Sequence, residues 1–175
     1  MKLLELDKPK NTLSLYELPY NMNSLEPIMS KEVVEFHYSV LSKGYVDRYN
    51  KGEGDSRFNK AGALLHNLFW PQLFSPKLAN KPKKGELLDL INKKYDSFTN
   101  FKEKFVDIAL KFQGSGWVYL SKDGNIKTLV NQTWATDILM PIDLFEHSYE
   151  PFTLRKDYMK TIWQIIDWEV IEKRL

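Results

Sequence analysis

Asp143-Leu144-Phe145-Glu146-His147 sets a carboxylate four residues ahead of an imidazole, at the exit of an apolar run from Ile138 to Ile142 that reads as a buried strand. Two such side chains leaving one strand can aim at one point, and both are residue types that hold divalent metals. Asp followed by His at this spacing is common, so the pair gains weight only from the remaining donors. The chain has 3 histidines, His37, His66 and His147, and no cysteine. Disulfides, thiolate metal sites and cysteine nucleophiles are excluded, and any metal must sit among nitrogen and oxygen donors. We read the three histidines with Asp143 as the ligands of one redox metal.

Each imidazole also has a plainer reading. His37 on a half-apolar helix face can be a satisfied core or interface histidine. His66 lies inside the apolar run Ala61 to Phe69. A buried imidazole there needs partners for both ring nitrogens, and a carbonyl or a side chain can serve as well as a metal. Asp143 can be a loop carboxylate capping a turn. What favours the joint reading is that every histidine falls in a segment expected to line the centre. Three imidazoles and one carboxylate suit iron, manganese or zinc, and structural zinc more often recruits cysteine.

The elements that would position these residues follow from pattern and punctuation. Residues 1–27 are irregular and proline-punctuated. Ser30 can cap a helix from Lys31 to Tyr49, with Val33, Phe36, Val40, Leu41 and Tyr45 at helical spacing and His37, Leu41 and Tyr45 stacked along one side. A second helix, Phe58 to Trp70, stops at Pro71 and completes an antiparallel hairpin. Residues 71–85 read as a linker. Helices follow from Glu86 to Asp96 and from Asn100 to Phe112, the latter capped by Ser97 or Thr99, and Gly114 suits the helix end. Trp117–Leu120 and Ile126–Val130 form a hairpin around Asp123-Gly124, with Ile138–Asp143 as third strand and Pro141 arguing for a sheet edge. A single last helix is expected from Lys156 to Lys173. The fold class is α+β: an N-terminal antiparallel helical hairpin (1–80), then a C-terminal lobe (81–175) with a three-stranded antiparallel sheet flanked by helices.

Composition narrows the setting. The 175 residues are 43% hydrophobic, 27% charged and 14% aromatic, enough for one sizeable core walled by large rings. A net charge of +2 is too mild to argue for nucleic acid. Lys2, Glu5, Asp7 and Lys8 leave no apolar stretch for a secretory signal, and no window reaches the ~20 apolar residues of a membrane span. The expected location is the cytoplasm.

Several segments, in order, resemble the iron/manganese superoxide dismutases: Leu18-Pro19-Tyr20 with Leu25-Glu26-Pro27; Glu35-Phe36-His37-Tyr38 with Tyr45 eight residues after the histidine; His66-Asn67-Leu68-Phe69-Trp70; Gly114-Ser115-Gly116-Trp117; Asp143 to Tyr149; and Arg155-Lys156-Asp157-Tyr158, with Trp168 further on. The resemblance implies one metal per subunit held by His37, His66, Asp143 and His147, with a fifth position for solvent. It implies that Tyr45 stands at the substrate funnel and that a glutamine hydrogen-bonds the solvent. Iron-type members usually supply that glutamine four residues before the second histidine, where this chain has Gly62. Manganese-type members supply it from the sheet, where Gln132 is placed. Manganese is therefore expected, with iron as the alternative. The implied reaction converts two superoxide anions to dioxygen and hydrogen peroxide, with Tyr45 and Gln132 in the proton relay. Trp117, Phe145, Tyr149 and Arg155 are expected around the ligands, Arg155 helping to attract the anion. Glu146 is expected to cross a twofold interface to the other subunit's copy of His147, making a homodimer.

The chain also departs from that family's pattern. Leu41 and Glu150 stand where relatives pair a histidine with a partner subunit's tyrosine. Phe145 replaces a tryptophan and loses an indole donor. Only residues 133–142 separate Gln132 from Asp143, and Trp134 within them has no family role. The second reading is therefore a structural or interaction protein that keeps fold and metal without useful turnover. A non-haem iron oxygenase fits less well, since a third histidine would occupy one of its open positions.

Overall fold

The computed structural model describes residues 12–149 and 153–175. The N-terminal stretch Met1–Lys10 and Glu150, both drawn on above, lie outside these.

Ser30, in an extended conformation, accepts a hydrogen bond from the Val33 N–H and starts α1, Lys31–Glu35. The chain then runs through a π-helical segment, Phe36–Ser42, into α2, Lys43–Lys51, which ends on Gly52 at φ 70°. This corrects the regular helix expected from Lys31 to Tyr49. Phe36 and Val40, expected on the buried face, are 50% and 55% exposed, and the buried side is Val33, Val34, His37, Ser42, Tyr45 and Val46. The wider π turn carries an extra residue, so His37 pairs with Ser42 rather than Leu41. The Ser42 hydroxyl donates to the His37 carbonyl at 2.7 Å and accepts from the Trp70 indole at 3.0 Å.

Asp55 caps α3, Ser56–Phe69, by accepting from the Phe58 N–H at 2.8 Å. Pro71 turns the end of this helix into a short 3-10 segment, Trp70–Gln72. Helix α4 is Glu86–Tyr95, and Ser97 caps α5, Phe98–Lys111. Strands β1 (Gly116–Ser121), β2 (Ile126–Val130) and β3 (Ile138–Asp143) form an antiparallel sheet in the order β2-β1-β3. Gly124 at φ 80° permits the Asp-Gly turn between β1 and β2. Pro141 lies on an edge strand, where its missing N–H costs least. The register sets Trp117 directly opposite Asp143.

The last helix is broken, contrary to expectation. It comprises α6 (Arg155–Thr161), a 3-10 segment (Ile162–Ile165) and α7 (Trp168–Glu172). Ile166 is extended and bridges Leu73, the Asp167 N–H donates to the Gln72 carbonyl at 2.7 Å, and Asp167 then caps α7. A long-range backbone pairing therefore overrides local helical periodicity. The main hydrophobic cluster draws Val34, Leu65 and Trp70 together with Phe105, Trp117, Ile142 and Ile165, so one core spans the hairpin and the sheet lobe. Among the described residues, no helix is long and apolar enough to cross a membrane.

Candidate metal centre

The π segment, α3, the end of β3 and the following 3-10 turn (Glu146–Ser148) bring His37, His66, Asp143 and His147 together, with one donor atom from each lying within 4.8 Å of the others. His37 Nε2 lies 2.9 Å from His66 Nε2 and 3.1 Å from Asp143 Oδ2. His66 Nε2 and His147 Nε2 lie 3.5 and 3.4 Å from the same oxygen. Three of the four residues are fully buried, and the His147 side chain is 18% exposed.

The hydrogen bonds aim these atoms. His66 Nδ1 lies 2.7 Å from the Gly62 carbonyl, which can only accept, so Nδ1 carries the proton and Nε2 presents a lone pair inward. Asp143 divides its oxygens: Oδ1 accepts from the Phe145 N–H at 2.9 Å, and Oδ2 faces the histidines. That Oδ2 and His147 Nε2 are buried without a hydrogen-bond partner. His66 Nε2 thus turns toward the centre of the cluster, 2.9 Å from His37 Nε2 and 3.5 Å from Asp143 Oδ2. This arrangement is costly by itself and becomes favourable around a cation. Protonation agrees. Burial lowers the His37 pKa to about 3, against the raising influence of Asp143, so its imidazole is neutral. Burial would raise the Asp143 carboxyl, but contacts with His147, His37 and His66 outweigh it and hold the group well below the usual carboxylate range. Neutral imidazoles and an ionised carboxylate are the states a metal requires. The donor set therefore fits one divalent or trivalent ion.

Aromatic rings wall the cluster. Trp70 and Phe69 flank His37 with centroids at 4.8 and 5.8 Å, Trp117 meets His66 edge-on at 5.1 Å, and Phe145 stacks on His147 at 5.1 Å. Tyr45 stacks on His66 at 5.4 Å. Its hydroxyl accepts from Gln132 Nε2 at 3.2 Å, while Gln132 Oε1 accepts from the Trp117 indole at 3.0 Å. The indole can only donate, so it fixes the amide with Nε2 toward Tyr45. Burial raises the Tyr45 pKa, and the Gln132 hydrogen bond works against that rise.

Gly62 has a role that its place in the sequence conceals. A Cβ there would lie 2.7 Å from Cγ of Tyr45, so the tyrosine ring occupies the space any side chain would need. Arg155 is spread over backbone acceptors: its guanidinium donates to the carbonyls of Phe112, Gly114 and Leu144 at 2.7–2.9 Å and to the Tyr149 hydroxyl at 3.2 Å. Tyr149 is buried, with its ring 5.4 Å from that of Tyr158. Glu146 accepts from Ser115 and lies 3.8 Å from Arg155 within the same chain. Trp134 is 40% exposed. Sequence reasoning missed Ser42, whose contact with His37 exists only because of the π turn. It also missed Gly62 as acceptor and steric seat, although the i, i+4 spacing to His66 was visible.

Two family models match the chain: the alpha-hairpin domain of iron/manganese superoxide dismutases over residues 12–55, and the C-terminal domain of the same enzymes over residues 83–174. A superoxide dismutase [Mn/Fe] of Porphyromonas gingivalis is 35% identical, with 93% of this chain and 99% of the relative covered. A superoxide dismutase [Fe] of Bacteroides fragilis is 31% identical, covering 94% and 100%, and one of Saccharolobus solfataricus is 33% identical, covering 90% of each. With both halves matched in order and the four donor atoms converged, the chain belongs to the iron/manganese superoxide dismutase family.

Proposed function

We propose that the protein is a superoxide dismutase, an oxidoreductase that converts two superoxide anions to dioxygen and hydrogen peroxide, with one manganese ion per subunit and iron as the alternative. The observation that carries this reading is the convergence of four donor atoms, two of them (Asp143 Oδ2 and His147 Nε2) buried without a hydrogen-bond partner, inside an aromatic wall. His37, His66, Asp143 and His147 would hold the ion. Bound there, it would supply one-electron exchange with superoxide.

The protein's own residues do the rest. Peroxide needs two protons, and the Tyr45 hydroxyl, accepting from Gln132, keeps its own proton available. Trp117 holds Gln132 in the orientation that maintains this chain. The wall of Phe69, Trp70, Trp117 and Phe145 limits water and strengthens every polar contact within. Arg155 contributes positive charge for the incoming anion as well as holding the loop.

Gly62 supports manganese. With the Tyr45 ring seated against it, a glutamine from α3 has no room, and the amide comes from Gln132 on the sheet side. The two lobes (1–80 and 81–175), a homodimer in which Glu146 reaches the other subunit, and a cytoplasmic setting complete the proposal.

The test uses two preparations, loaded with manganese and with iron, assayed for metal per subunit and superoxide consumption. About one metal per subunit with fast dismutation, greater for manganese, is expected. Full metal loading without dismutation in either form would reject the activity and favour a scaffold that keeps the site.

A further inference from the structure

Arg174, next to the last residue of the chain, is half-buried and bonded to two elements that carry ligands. Its Nη2 donates to the Leu68 carbonyl at 2.7 Å, and its Nη1 donates to Gln72 Oε1 at 2.9 Å and to the Leu139 carbonyl at 3.1 Å. Gln72 is fully buried, and its own Nε2 donates to the Pro141 carbonyl at 2.5 Å. Leu68 sits in the last turn of α3, two residues after His66, where helix carbonyls lack intrahelical partners and the helix dipole is negative. Leu139 and Pro141 lie on β3, which ends at Asp143. One guanidinium and one amide therefore link the end of α3 to β3, the elements that carry His66 and Asp143.

We propose that Arg174 is a positioning residue for the metal centre, clamping the C-terminal turn of α3 to β3 and so setting the separation of His66 from Asp143. The proposal rests on the metal-site reading above. No carboxylate among the described residues is bonded to this guanidinium; its acceptors are two carbonyls and an amide oxygen. Burial lowers its pKa to about 10, which leaves it charged at neutral pH. Charge-assisted bonds to fixed acceptors offset that burial. The planar fork reaches acceptors on two elements at once, whereas a lysine ammonium is a compact point charge. The Ile166–Leu73 bridge and the Asp167–Gln72 bond dock the preceding strap, so Arg174 arrives already aligned.

A merely structural tether would lower stability without singling out the metal. The test compares Arg174→Ala and Arg174→Lys with Ile171→Ala, a cavity variant at a fully buried position of α7. Apo stability is measured by urea unfolding. Manganese release to excess chelator is followed under native conditions, and the Mn(II) electron paramagnetic resonance spectrum is recorded. Arg174→Ala is expected to release manganese about tenfold or more faster than Ile171→Ala, relative to the apo stability of each, the range seen when supporting contacts behind ligands are removed. Its spectrum should change where that of Ile171→Ala does not, and Arg174→Lys should fall between. If Arg174→Ala does not fold, the lysine variant carries the same comparison. Release that simply follows apo stability, with unchanged spectra, would overturn the proposal. An unmodified protein that takes up no metal would instead reject the metal-site reading itself.

Discussion

The hairpin and the strand-exit loop each contribute two of the four donor residues, yet they hold them differently. His66 is fixed within its own helix, its Nδ1 bonded to the carbonyl of Gly62 one turn back, and its ring lies between Tyr45 and Trp117. His37 sits in the π segment against Phe69 and Trp70. Both are part of the core. Asp143, the last residue of β3, and His147, in the 3-10 turn after it, flank a loop shaped by distant partners: the Leu144 N–H donates to the Gly116 carbonyl, and Arg155 donates to the Leu144 carbonyl. The helix-borne donor side chains are thus positioned by local backbone geometry and packing, and those at the strand exit by long-range hydrogen bonds. Damage to the first set should cost fold and metal together; damage to the second should cost metal first.

The strongest way to break this contrast is to remove one ligand from each side. His66→Ala and Asp143→Asn should both reduce metal from about one per subunit to near zero, measured by elemental analysis. Only His66→Ala should also destabilise the apoprotein strongly, by about 2–4 kcal/mol in urea unfolding, because it empties a packed site. Equal losses of apo stability would dissolve the distinction. Next in size, Gly62→Ala should lower stability by about 1–3 kcal/mol, since its Cβ must displace the Tyr45 ring. A variant as stable as the parent would show that the ring yields freely. On the loop side, Arg155→Ala leaves three carbonyls without their donor. It should cost about 1–3 kcal/mol and, unlike Gly62→Ala, should speed metal loss to a chelator disproportionately. The smallest stability effect is expected for Trp117→Phe, which keeps the ring and removes one donor from Gln132, at about 1 kcal/mol. Its metal content should stay unchanged while superoxide consumption falls, separating the Tyr45–Gln132 chain from metal retention.

Much of this was legible locally. Ser30 and Ser97 as caps, Asp123-Gly124 as the hairpin turn and Pro71 as the end of α3 are short-range effects, and each lies where local chemistry places it. The third strand also matches its expected bounds, with its proline on the sheet edge. The three histidines could be singled out because the chain has no others, whereas Asp143 stood out only by its spacing to His147 at a strand end. The failures lie where a distant partner outweighs local preference. Val33, Phe36, Val40 and Leu41 follow helical spacing, but the π turn rotates Phe36 and Val40 outward and brings Ser42 beneath Trp70. The segment Lys156 to Lys173 also reads as one helix, until Gln72 and Leu73 claim Asp167 and Ile166.

By itself the sequence determined the donor chemistry, three imidazoles and a carboxylate with no thiolate, together with most caps, turns and strand bounds. These depend on residue type and on neighbours a few positions away. Only the tertiary structure decided which lone pairs face one another, why position 62 must be glycine, and that two arginines near the end of the chain are spent on backbone carbonyls. Those outcomes join residues far apart in the chain, by 106 positions where Arg174 joins Leu68, and no local pattern carries them. In the strand-exit loop, Asp143 and His147 were visible from the start. What holds them in place became visible only once β1, the end of α5 and Arg155 were seen to meet behind them.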